Sequence, residues 1–344
     1  MLISNNLNLS RINKYKPARV MIHSANEKLT VGHINYWIAI FLESKINFSI
    51  LTRDINSYKK LIKQFPKYSI LYAKNPLDVE EAISRQNKLE KIFYTTNMAK
   101  NIHLLRFNHV KHIFIGTENS DQLSIVDKSY RAYDEVWVSS QSQIDKFRDT
   151  IGNTGHLKFP IVGKPQLKKI FLISLKKRKR DSILFLPDSK NVNNSFLPYL
   201  GEILLNVINY SVFLHLTNKL YIQYTKQFSL DKSLDISLFQ SKELFSDIAL
   251  RSDFIVLDIN HIKVSLLAYN IPLIVYIPEE EKKDELELDI PLEALYFFSN
   301  HKELLEIIDK LEEEDALKEK RDEVTEYLLG KEETLEDRFF TEIN

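Results

Sequence analysis

The chain has 344 residues, 44% apolar and 27% charged, with Lys+Arg and Asp+Glu both at 47. That composition is that of an ordinary soluble globular protein and does not indicate disorder, the length points to two domains, and the charge balance leaves no overall field to gather nucleic acid. The absence of cysteine excludes disulfides, thiolate nucleophiles and cysteine-ligated zinc, so any chemistry rests on oxygen and nitrogen groups.

Short β-rich apolar runs alternate with helical patterns along the chain, the signature of parallel α/β layers. "RVMIHSA" reads as a first strand, "GHINYWIAIFLESK" as a helix and "NFSILTR" as the next strand. "KIFYTT", "KHIFIG" and "EVWVSS" read as three more strands, the last leading into the helix "QSQIDKFRDT". One doubly wound domain therefore occupies residues 1–163. A basic stretch, 164–181, follows, containing "LKKIFLISLKKRKR" at 167–180. The alternation then restarts with "ILFLP", the helix "FLPYLGEILLNVIN", the strand "SVFLHL", "DFIVLD", a helix "HIKVSLLAYN" and the strand "PLIVYIP". These build a second α/β domain over 182–300. Residues 301–344 are charge-rich and helical by period, read as a solvated helix on the C-terminal domain or a partner-binding one.

The stretch "MLISNNLNLSRINKYKPARV" has no apolar leader-type core, and no later run approaches the roughly 18 to 20 apolar residues of a membrane span. A cytoplasmic protein is expected, with peripheral residence on the inner face of the membrane left open. For the basic stretch two readings stand: a solvated interdomain linker, or an anchor to an anionic membrane surface.

Ligands of open parallel sheets gather beyond the carboxyl ends of the strands. Gly116 to Gln122 lies at such an end, after "KHIFI". Its glycine permits close backbone approach, and Thr117 and Ser120 supply hydroxyls, so it reads as a phosphate-handling loop. From periodicity alone the stretch reads first as a strand-to-helix turn capped by Asp121. The P-loop, G-x-G-x-x-G, H-E-x-x-H and G-x-S-x-G signatures are all absent from the sequence. His109 and His112 flank a strand at a spacing that puts them on opposite faces, so no metal site is expected there.

"KIFYTTNMAKNIHLLRFNHVKHIFIGTENSDQ", followed by "YDEVWVSSQSQIDKF" and "IVGKPQ", resembles the CDP-glycerol glycerophosphotransferase family, the transferases and polymerases of teichoic acids and related capsules. The shared positions are Asn97, Asn101, Arg106, Phe107, Ser120, Asp121, Tyr133, Asp134, Gln141, Ile144, Asp145, Gly163, Pro165 and Gln166, in order between Lys91 and Gln166. In the second half, "SDFIVLDINHIKVSLLAYNIPLIVY" is similar to the family's "ADVLITDYSSVLFDYLLTGKPIIFY", keeping Asp253, Asp258 and Pro272. "ILFLPDSK" looks like "ILYAPTxR", with Asp188 and Lys190 in the Thr and Arg places. "VFLHLTN" is similar to the "KLHP" strand, though without a gap Thr217 rather than His215 falls on the family's histidine.

This resemblance implies two Rossmann-like domains in a glycosyltransferase-B-like arrangement, the first on the acceptor side and the second binding a CDP-linked donor. The expected activity is transfer of an alditol phosphate, such as glycerol phosphate, to a glycan or lipid-linked acceptor. Cofactors are none, the CDP-alcohol being the donor substrate; no metal and no nucleic acid are implied. Three departures bear on activity: Thr117 and Glu118 replace the family's His-Gly pair, Asn260 and His261 its serines, and Asn270 its glycine. A hydroxyl cannot replace an imidazole as base near neutral pH. Glu118 is therefore the candidate base, with His261 as the alternative, while Thr117, Ser120 and Asp121 complete the catalytic loop. Asp188, Lys190, His215, Asp258, Asn260 and His261 are the candidate donor residues. Two alternatives stay open: a catalytically silent relative serving as a glycan-binding or complex-forming subunit, and a nucleotide-sugar glycosyltransferase.

Overall fold

Among the described residues every strand pairing is parallel, and the strands fall into two six-stranded sheets. The computed structural model describes residues 17–117, 126–168, 170–171, 181–188, 195–217, 220–222, 236–240, 242–281, 283, 286, 288–330 and 335–344. The first sheet contains β1 (Val20–Ser24), β2 (Phe48–Thr52), β3 (Ser69–Tyr72), β4 (Lys91–Tyr94), β5 (Lys111–Phe114) and β6 (Glu135–Val136), in the order β3-β2-β1-β4-β5-β6. The second contains β7 (Ser182–Leu186), β8 (Ser211–His215), β9 (Ile236–Phe239), β10 (Phe254–Asp258), β11 (Leu273–Tyr276) and β12 (Tyr296–Phe298), in the order β12-β11-β10-β7-β8-β9. Crossover helices cover both faces of such sheets, so central strands are apolar on both sides. All five residues of β1 are buried, and they alternate between two cores. Val20 and Ile22 pack with Phe48, Ile50 and Phe93 on one face, while Met21 joins Leu51, Ile92 and Phe114 on the other, the period of two that a pleated strand requires.

The first helix among the described residues, α1 (Thr30–Glu43), returns the chain from β1 to β2 and buries Ile34, Trp37, Ile38 and Phe41 at helical spacing. Next come α2 (Ile55–Gln64) and α3 (Pro76–Ser84), neither resolved from the sequence. Both carry their start signals: Asp54 Oδ2 accepts the Ser57 amide at 2.7 Å, and Asn75 and Asp78 form a capping box with Pro76 between them at the first helical position. After the short α4 (Ile102–Leu105) and β5 and β6 comes α5 (Gln141–Ile151), where the sequence places it. In the second half, α6 (Leu200–Asn206) follows β7, α7 (Lys242–Ala249) follows β9, and α8 (His301–Glu313) and α9 (Lys318–Leu329) follow β12.

The helix expected over 261–270 is instead two 3-10 turns, Ile259–His261 and Val264–Tyr269, separated by an extended Lys263. Asn270 closes the second in the left-handed region at φ 49°. Asparagine is among the few non-glycine residues that tolerate it, which accounts for Asn270 where the family has glycine.

The chain divides into two compact units. Unit 1 holds the residues up to Gln166 together with the last helix, α10 (Leu335–Ile343); unit 2 holds what lies between. On unit 1, α10 lays Phe339, fully buried, against Trp37 (ring centroids 5.5 Å, stacked), Trp137 (5.4 Å, edge-on) and Phe41 (5.8 Å). Lys91 Nζ donates to the carbonyls of Glu342 and Ile343, 2.9 Å each, a cation where the helix end is negative. No helix among the described residues is long and apolar enough to cross a membrane.

Candidate functional site

In each sheet the chain winds outward one way and then starts again on the other side. The connections diverge at that reversal and leave a crevice at the carboxyl ends of the two strands involved. In unit 2 the reversal lies between β7 and β10, whose last pair is Leu186 with Leu257. One residue further on β10 is Asp258, and just past β7 is Asp188.

Asp258 has no solvent exposure. Its Oδ2 accepts from the Asp188 amide and the Ser195 hydroxyl, and its Oδ1 accepts from the Phe196 amide at 3.0 Å. Ser195 Oγ in turn accepts from the Leu197 amide at 3.1 Å. Burial pushes the Asp258 carboxyl up to about 6, against three hydrogen bonds that favour the anion, and the neighbouring Asp188 charge pushes the same way as burial. One carboxylate thus ties the end of β7, the loop before the turn Leu197–Tyr199, and the end of β10 into one piece. Its direct work is on these loops. Asn260, in the turn after β10, donates from Nδ2 to Asp188 Oδ2 at 2.9 Å.

On the other side of β7, His215 ends β8 with its ring edge-on to Phe245 at 5.9 Å, and its buried Nε2 has no hydrogen-bond partner. Burial lowers its pKa first, and the nearby His261 lowers it further. Both effects favour the neutral imidazole, an acceptor or donor of hydrogen bonds rather than a fixed cation. Asp188, His215, Asp258, Asn260 and His261 therefore gather at one carboxyl edge, built from strands that are distant in sequence. Lys190 lies outside the described residues. Ser195 and Phe196, which hold Asp258, were not singled out in the sequence; the serine ahead of a short turn is the one local sign available.

In unit 1 the reversal lies between β1 and β4. Here His23, fully buried, has its pKa lowered to about 3, chiefly by burial, and is held through Nδ1 at the Leu51 carbonyl, 3.0 Å. Asn101 donates to the Thr96 carbonyl at 2.7 Å and to Tyr133 Oη at 2.9 Å, and Tyr133 Oη donates to Asn97 Oδ1 at 3.1 Å. Three residues that carry the family resemblance, Asn97, Asn101 and Tyr133, are thus one hydrogen-bonded group that fixes the turn after β4.

The loop after β5 sits one strand beyond this crevice. Gly116 adopts φ 64°, and its carbonyl accepts from Trp37 Nε1 at 2.8 Å. Thr117, half-buried, faces a pocket of about 30 Å³ within unit 1, shared with Ser139, Gln143, Lys164 and Gln166. Glu118, Ser120 and Asp121 lie outside the described residues, as do Lys169 and residues 172–180 of the basic stretch.

Comparison with known proteins gives a fold. No family model matches the chain, and no curated protein does. Among solved structures, the UDP-GlcNAc 2-epimerase of Neisseria meningitidis bound to UDP-GlcNAc is 9% identical over 94% of this chain and 100% of its own, with a TM-score of 0.62. The wall teichoic acid polymerase TagF with CDPG is 10% identical over 96% of this chain and 89% of its own, TM-score 0.54. MurG of Acinetobacter baumannii is 14% identical over 95% and 99%, TM-score 0.52. Identities this low establish the architecture, two α/β units of the glycosyltransferase-B type, and leave the chemistry to the site.

Proposed function

We propose that the chain is a transferase that moves an alditol-phosphate group from a CDP-linked donor to a glycan or lipid-linked acceptor. The observation that carries this reading is the organised edge at Asp188, His215, Asn260 and His261, braced by the buried Asp258, at the strand reversal of unit 2 where parallel sheets take nucleotides. The resemblance across Lys91 to Gln166, and the fold likeness to a polymerase determined with CDPG, supply the donor class. In the reaction the acceptor hydroxyl bonds to the phosphorus bearing the alcohol, the bond from that phosphorus to CMP breaks, and CMP leaves. The hydroxyl proton passes to a base, for which Glu118 is the candidate by its place in the sequence. Asp258 is a positioning residue here: it sets the loops that carry Asp188 and, through Asp188, Asn260.

The replacement of the family's His-Gly pair by Thr117 and Glu118 favours a second reading, a silent relative that binds donor or glycan without transfer. One set of assays separates the two. Thermal shift with CDP-glycerol, CDP-ribitol, CMP and UDP-sugars identifies the donor, because a ligand at a hundredfold excess over Kd stabilises by about 2.7 kcal/mol. The transferase reading expects stabilisation by a CDP-alcohol, an affinity loss of about tenfold or more in His261→Ala, about 1.4 kcal/mol, and release of CMP onto a glycan primer. Glu118→Gln should slow that release about a hundredfold with donor affinity kept. Donor binding without any CMP release supports the silent subunit, and stabilisation by UDP-sugars alone overturns both in favour of a nucleotide-sugar enzyme.

A further inference from the structure

We infer, on the reading of the unit 2 edge as a nucleotide site, that Tyr199 is the platform on which the nucleobase stacks, the nucleotide lying along that edge with its base toward β11 and its phosphates toward β8. Phe196, Tyr276 and Phe298 form one aromatic group, with ring centroids 5.4 to 6.3 Å apart, and none is more than 5% exposed. Tyr199 joins the group at Tyr276, at 6.4 Å and a tilt of 53°, yet it is 38% exposed. It stands in the connection that leaves β7, at the strand reversal of unit 2. An aromatic ring left open to solvent there offers a face to another flat ring.

The position of Tyr199 is set by the residue that organises the edge. Asp258 and Tyr276 are register partners on β10 and β11, so the ring beside Tyr276 stands next to that carboxylate. Asp258 Oδ1 accepts from the Phe196 amide at 3.0 Å, Ser195 Oγ from the Leu197 amide at 3.1 Å, and the Phe196 carbonyl from the Tyr199 amide at 2.9 Å. The backbone from Ser195 to Tyr199 is thus tied to Asp258. A ring with two side-chain torsions on a backbone held in this way loses little freedom when a ligand meets it.

Polar groups gather on the other flank. His215 closes β8, His261 stands near it, and Asn260 reaches Asp188 just past β7. The buried, unpartnered Nε2 of His215 can donate to a phosphate oxygen. In the strand order β11-β10-β7-β8 three strand spacings, about 14 Å in all, separate the aromatic end from the histidine end. A nucleoside diphosphate has the same polarity, flat and apolar-faced at one end and anionic at the other. Stacking tolerates any base, because each has a π-face. Tyr199 therefore supplies affinity for a nucleoside and leaves the choice between pyrimidines to other groups.

The test is calorimetric titration of the full chain with CMP and with UMP, in wild type, Tyr199→Ala, Tyr199→Phe, Tyr199→Trp and His261→Ala. Tyr199→Ala should weaken the nucleotide that binds by about tenfold or more, about 1.4 kcal/mol. Tyr199→Phe, which keeps the ring and drops the hydroxyl, should bind as wild type does. Tyr199→Trp adds a third tryptophan to Trp37 and Trp137 of unit 1, and its emission should be quenched saturably at the concentrations where calorimetry records binding. Equal affinity in wild type and Tyr199→Ala overturns the platform. A loss in Tyr199→Phe as large as in the alanine variant, or a Tyr199→Trp emission that ignores bound nucleotide, overturns it too. CMP weakened by His261→Ala and untouched by Tyr199→Ala sinks the platform and keeps the donor reading. UMP bound in place of CMP, with the same dependence on Tyr199, keeps the platform and sinks the CDP-linked donor, and failure of both nucleotides to bind sinks the two together.

Discussion

A carboxylate held away from water leaves a mark on the pH dependence of stability, and Asp258 is such a group. Its pKa is raised from 3.8 to about 6, so between those values the folded chain binds more protons at this position than the unfolded chain. The contribution of Asp258 is therefore fully present below about pH 4 and lost as pH rises through 6, a change of about 3 kcal/mol at 1.36 kcal/mol per unit. Asp258→Asn does not titrate there and also turns an NH₂ toward the donors of Asp188, Ser195 and Phe196. The stability of wild type relative to the variant should fall by up to about 3 kcal/mol between about pH 4 and pH 7 in urea denaturation; parallel curves would show that the carboxyl is not held as described. Asp258 itself stands out in the sequence, as the last residue of "DFIVLD". What it does was not legible there, because its partner Ser195 is 63 positions away and only the folded sheet brings them together.

Elements were legible in proportion to how fully they are buried. The interior strands β1, β4, β5, β10 and β11 are near-continuous apolar runs because helices cover both faces, and the sequence announces them. The edge strands β3 and β9 are partly exposed at all four positions, so "SILY" and "ISLF" carry too little pattern to read. The amphipathic character of α10 shows in "LEDRFFTEI", but an amphipathic helix does not say which core it joins. That it serves unit 1 and not the neighbouring α9 is a tertiary fact. Phe339→Ala, which empties a site bounded by Trp37, Phe41 and Trp137, should cost about 3 to 5 kcal/mol. The loss should appear as a lower denaturation midpoint together with altered tryptophan emission. A midpoint within about 1 kcal/mol of wild type would mean that α10 is not a working part of that core.

At the scale of the whole molecule the charges cancel, so attraction to an anionic surface has to come from a local run. Residues 176–180, Lys-Lys-Arg-Lys-Arg, are such a run, and the proposed transfer to a lipid-linked acceptor would gain from standing at the membrane. Basic residues near an anionic leaflet contribute about 1 kcal/mol each, an effect that fades as the Debye length shrinks from about 10 Å at 0.1 M salt to about 3 Å at 1 M. The full chain should float with phosphatidylglycerol vesicles at low salt and sink at high salt, and a variant with these five residues changed to glutamine should sink in both. Wild type that never floats leaves the stretch a linker. The return of α10 to unit 1 has a consequence of another kind, for the order of events during synthesis. Unit 2 is encoded in one continuous stretch, whereas the strands of unit 1 emerge early and its last helix only after all of unit 2 has been made. At ribosomal rates of about 5 to 20 residues per second, roughly ten to thirty seconds separate the two. Through that interval the nascent face around Trp37 and Trp137 stands uncovered, open to chaperones and to neighbouring chains, and the domain translated first is the last to close.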